Sequence, residues 1–73
     1  MNRNYRHELE SEKLIDVIDK CRATKRTKSI VKDFYNGMTY DTIAAKYKID
    51  ASRACSCVKS YIASARKYKQ NNS

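Results

Sequence analysis

The sequence predicts an all-α fold: a small three- to four-helix bundle containing a helix-turn-helix. Three observations carry that prediction. The chain has 73 residues and 8.5 kDa, enough for one domain. Gly occurs once and Pro never, whereas β-sandwiches and barrels need turn signals about every 8–12 residues. Apolar residues recur at spacings of three and four, the period of a helix. At this size only about 62% of the unfolded surface is buried on folding, which leaves a thin core and no room for a walled active site.

The elements follow in order. Residues 1–10, MNRNYRHELE, are polar and read as a flexible arm that orders on a partner. Ser11 caps a first helix over about 11–22, with Leu14, Ile15, Ile18 and Cys21 on one stripe. Glu8, Glu10 and Glu12 near its start and Lys20 and Arg22 near its end suit the helix dipole. The stretch from Arg22 to Lys28 is basic, lacks an apolar period and reads as a connector. A second helix, about 28–36, rests on Ile30, Val31 and Phe34 and ends at Asn36-Gly37, with Gly as the left-handed residue after the cap. Thr39 caps a short third helix, about 40–47, bearing Ile43, Ala44 and Tyr47, and Lys48-Ile49-Asp50 makes a tight turn. The last helix, about 51–69, has the clearest period: Ala51, Ala54, Cys55, Val58, Tyr61, Ile62, Ala65 and Tyr68. The domain therefore spans 11–69, and residues 70–73 form a disordered tail.

Charge is large and uneven. The net charge is +8. Residues 1–19 hold three basic and five acidic residues, and residues 20–73 hold thirteen basic and three acidic. Such a field attracts nucleic acid or acidic protein surfaces. The densest cluster is Lys20, Arg22, Lys25, Arg26, Lys28 and Lys32. A second, Arg66, Lys67 and Lys69, falls where a helix C-terminus favours cations in any case.

Catalytic and metal chemistry are not expected. One histidine, no Gly-rich phosphate loop and no nucleophile–base pair leave no catalytic residue to nominate, and hence no enzyme, cofactor or small-molecule substrate. Cys55 and Cys57 on a helix point about 200° apart and cannot clamp one ion. A site from Cys21, Cys55, Cys57 and His7 is conceivable, but three cysteines behaving as small buried hydrophobes is the simpler expectation. The longest apolar runs, Ile43-Ala44-Ala45 and Tyr61-Ile62-Ala63, are three residues. A spanning helix needs about 20 and a signal peptide at least about 7, so no membrane partner and a cytoplasmic location are expected.

The organising motif is GMTYDTIAAKYKIDASRACSCVKSYI, residues 37–62. A capped short helix, a three-residue turn and a longer helix follow in sequence. Ala44 lets the two helices approach closely, Tyr47 and Ile49 fill the wedge beside the turn, and Ala54 and Val58 anchor the second helix to the first. The stretch resembles helix-turn-helix domains of the sigma-factor C-terminal type and related phage regulators. Lys48 stands where that pattern often has Gly, which points to a different turn. The outward residues at the start of the second helix are Asp50, Ala51, Ser52, Cys55 and Ser56. Major-groove readers use longer Arg, Lys, Asn or Gln side chains to reach base edges.

In length, Lys and Tyr richness and helical body, the chain is also similar to small transcription regulators of lytic phages. Those bind the host RNA polymerase, inhibit initiation and promote antitermination. The resemblance implies bacterial RNA polymerase as partner, in the cytoplasm of a bacterial host; weak nucleic-acid contact is expected from the charge and the helix-turn-helix shape. Charge and exposure nominate Tyr5, Arg6, Arg22, Lys25, Arg26 and Lys28 for polymerase contact. Lys46, Ser52, Arg53, Ser56 and Lys59 are nominated for nucleic acid. The alternative is a repressor or activator that reads a major-groove site directly.

Overall fold

The computed structural model describes residues 5–71, and all regular structure among them is helical. Residues 5–10 differ from the expectation of an arm. They belong to helix α1 (Tyr5–Ser11), which buries Tyr5 and Leu9 on one face at the i, i+4 spacing. Ser11 is thus the last residue of a helix and not the cap of one. Residues 1–4 lie outside the described residues.

The expected helix over 11–22 is replaced by a tighter path. Lys13 takes a left-handed conformation (φ 54°) and ends α1, and a 3-10 turn follows at Leu14–Val17. Bonds from Asp16 N–H to Lys13 C=O, Ile18 N–H to Ile15 C=O and Lys20 N–H to Val17 C=O keep the i, i+3 pattern. The β-branched residues Ile15, Val17 and Ile18 weaken an α-helix here. Leu14, Ile18 and Cys21 nevertheless all reach the core.

Helix α2 (Lys25–Tyr35) begins three residues earlier than its apolar residues suggested. Thr24 caps it, its Oγ1 accepting from Thr27 N–H at 3.2 Å. Its end is a Schellman motif: Gly37 N–H donates to Phe34 C=O at 3.1 Å and Met38 N–H to Asp33 C=O at 3.0 Å. Gly37 holds φ 112°, a conformation that favours glycine.

Helix α3 (Tyr40–Tyr47) starts at Thr39 as expected, with Thr42 N–H donating to Thr39 Oγ1 at 3.2 Å. Lys48 does not choose another turn. It adopts the left-handed position itself (φ 58°), and Ile49 N–H closes onto Ala44 C=O at 2.9 Å. Helix α4 (Ala51–Asn71) then runs through Gln70 and Asn71, and residues 72 and 73 lie outside the described residues.

Helix α4 is the spine. It packs on α2, α3, the 3-10 turn and α1, burying Ala54, Val58, Tyr61, Ile62 and Ala65. Ile30, Val31 and Ile43 meet it from α2 and α3, and Leu9 and Leu14 cover its second half. The Tyr61 hydroxyl, buried at the centre, donates to Leu14 C=O at 2.6 Å and ties α4 to the 3-10 turn. Tyr47 and Ile49 are half-buried against the same core.

Candidate interaction surface

The cations divide into those the fold holds and those it leaves outward. Arg66 belongs to the first set. Its Nε and Nη2 grip the Glu12 carboxylate at 2.9 and 2.5 Å, and Nη2 also reaches Glu8 at 2.6 Å. Glu12 and then Glu8 hold the guanidinium charged more firmly than usual. Lys69 donates to Glu12 C=O at 2.6 Å. Two of the three cations closing α4 therefore fasten α1 and its exit loop.

Lys46, nominated for nucleic acid, is also engaged. Its Nζ lies 2.9 Å from Asp33 Oδ2, which also accepts from the Tyr47 hydroxyl at 2.7 Å. The Tyr47 hydrogen bond, then that of Lys46, lowers the Asp33 pKa, and the Asp33 bond in turn raises Lys46. This triad pins α3 to α2.

The polymerase-contact nominations divide as well. Tyr5 is only 9% exposed, because it sits on the inner face of α1 beside Leu9. Arg6 is exposed but lies over the Phe34 ring at 5.6 Å, and Phe34 stacks on Tyr40 with centroids 4.8 Å apart. Arg22, Lys25 and Arg26 are exposed and Lys28 is half-buried. None of these four pairs with an acidic side chain among the described residues. Lys32 approaches Asp19 only at 3.9 Å, both highly exposed.

Ser52, Arg53, Ser56 and Lys59 are all exposed on α4. Lys59 shares a hollow with Tyr5, Ile62, Ala63 and Arg66 on the α1 side. Arg53 and Ser56 line a shallow depression of about 510 Å³ with Thr27 of α2, Ser60 and Asp50. A second depression, of about 570 Å³, lies further along α4, where Lys20 and Arg22 face Ser64 and Lys67. Ser60 and Ser64 are neighbours one turn apart, so the two depressions follow one another along a single edge of α4. The segment 20–27 thus runs antiparallel to α4 and forms the opposite wall. Sequence reading kept the 20–28 cluster and the α4 residues apart, and had no signal that would bring Lys20 and Lys67 together.

No group of three or more His, Cys, Asp or Glu among the described residues is arranged to hold a metal ion. Cys21 is buried and Cys55 and Cys57 half-buried, all as free thiols. No helix among the described residues is long and apolar enough to cross a membrane. The chain matches no family model, and comparison with curated proteins and with solved structures finds no match.

Proposed function

We propose that this chain is a small phage-type transcription regulator that docks on bacterial RNA polymerase in the host cytoplasm, inhibiting initiation and promoting antitermination. One observation carries the reading: the cations at the start of α2. Lys25, Arg26 and Lys28 occupy its first turn, where the helix dipole disfavours positive charge by about 0.3–1 kcal/mol each. No acidic side chain among the described residues offsets them. A cluster that opposes its own helix adds nothing to the fold and points to an anionic partner. Arg22 extends the cluster, and Arg6 lies outward on α1.

The α4 surface supports a protein partner over sequence reading. The short hydroxyls of Ser52 and Ser56 stand where a base reader needs long bidentate side chains, and only Arg53 and Lys59 supply length. The second reading, a helix-turn-helix repressor or activator, draws on the α3–turn–α4 arrangement with its three-residue turn.

Purified polymerase and a random DNA pool, offered to the chain in parallel, test the two. Capture of polymerase, lost in the triple variant K25Q/R26Q/K28Q with its helicity unchanged, is the expected result. A sharp site preference that survives raised salt, with no polymerase captured, would overturn it.

A further inference from the structure

The edge of α4 that carries the two depressions is a cationic groove. We infer that it takes the sugar–phosphate backbone of a nucleic acid, with Arg22 shared between it and the cluster proposed above for polymerase. Arg53 marks one end, and Lys20, Arg22 and Lys67 the other. None of these four pairs with an acidic side chain among the described residues, and Asp50 is the one carboxylate lining the groove. Between the ends the floor is Ser60 and Ser64. Their side chains are small enough to let a polymer backbone lie close, and their hydroxyls donate to phosphate oxygens.

Length decides against a small anion. Arg53 and Lys67 are fourteen residues apart on one helix, about 21 Å at 1.5 Å per residue. A single phosphate cannot touch both ends. Duplex DNA, with a phosphate per 3.4 Å of each strand, presents about six over that distance. The serine floor carries no base-reading side chain, so binding along this edge is indifferent to sequence.

The test measures binding of the full chain to a labelled 20-nucleotide single strand and a 20-base-pair duplex of arbitrary sequence, across salt concentrations. Each lost phosphate contact reduces the slope of log K against log salt by about 0.9 for duplex and about 0.7 for single strand. R53Q/K67Q is therefore expected to reduce the slope by about 1.8 or about 1.4. S60E, which adds a negative charge at an exposed position and removes no cation, should weaken binding while the circular dichroism stays that of the unmodified chain. A slope unchanged in a folded R53Q/K67Q, or displacement of the strand by polyglutamate as readily as by unlabelled DNA, would overturn the inference. Polymerase capture by R53Q/K67Q is scored separately: its retention with the slope lost supports the groove, and failure of the docking reading alone leaves the slope result standing.

Discussion

At the scale of single residues, the two most perturbed tyrosines make opposite predictions. Burial, and then the neighbouring Cys21, pushes the Tyr61 ionisation up, and its hydroxyl has a partner in Leu14 C=O at 2.6 Å. Burial does the same at Tyr40, but that hydroxyl is buried with no nitrogen or oxygen partner among the described residues and only the Cys55 thiol beside it. A paired buried hydroxyl contributes about 0.5–1.5 kcal/mol net, and an unpaired one costs about 1–3. Tyr61→Phe should therefore lower stability by about 1 kcal/mol. Tyr40→Phe should leave it unchanged or raise it, because the ring keeps its stack on Phe34. Chemical denaturation of the two variants side by side gives the comparison, and a loss at Tyr40→Phe as large as at Tyr61→Phe would contradict it. Asp33 adds a pH signature. Its pKa lies below the ordinary 3.8, so its stabilisation is present above that value and is lost as pH falls through the lower native one. Unfolding the wild type and Asp33→Asn between pH 6 and 2 should show a stability gap that closes in acid, and a gap independent of pH would contradict the triad's charge.

At the scale of the elements, three helices end on a residue of positive φ, but the chain has one glycine. Gly37 ends α2, while Lys13 and Lys48 hold the same kind of position after α1 and α3. A side chain in the left-handed region costs about 1–2 kcal/mol, and glycine loses about 0.5–1 of that gain through its more mobile unfolded chain. Lys48→Gly should thus stabilise by about 0.5–1 kcal/mol, read as a raised Tm; an unchanged or lowered Tm would mean that Lys48 is not left-handed. The same comparison shows what was legible in the sequence. Helices α3 and α4 were readable because cap, period and turn agree, from Thr39 through Ile43 to the stripe at Ala54, Val58 and Tyr61. Leu14, Ile18 and Cys21 were readable as core although their backbone was not, since spacing fixes a buried face for both an α-helix and a tighter turn. Helix α1 was hidden because only Tyr5 and Leu9 mark it among charges. The start of α2 was hidden because Lys25, Arg26 and Lys28 break the apolar pattern and oppose the dipole. The α4 groove joins segments about forty residues apart, a pairing that no local spacing encodes.

At the scale of the whole molecule, the question is whether α1 is an accessory or part of the domain. Two of the interactions that attach it differ in kind: the Arg66 clamp on Glu8 and Glu12, and the burial of Leu9. Magnitudes separate them. Ion pairs as exposed as Arg66 and Glu12 contribute about 0–1 kcal/mol, less in salt. Truncating a fully buried leucine to alanine costs about 2–5 kcal/mol, and Leu9 is fully buried. A domain of this length has only about 4–11 kcal/mol in total, from 0.05–0.15 per residue. Leu9→Ala should accordingly lower Tm by at least about 8 °C, at 4–8 °C per kcal/mol for a small domain. Arg66→Gln should shift it by a few degrees at most, and the shift should fade in high salt. A single cooperative transition carrying the whole Leu9→Ala loss would make α1 an integral wall of the bundle. A Tm unchanged by Leu9→Ala would return residues 5–10 to the status of an arm and remove α1 from the core built around α4.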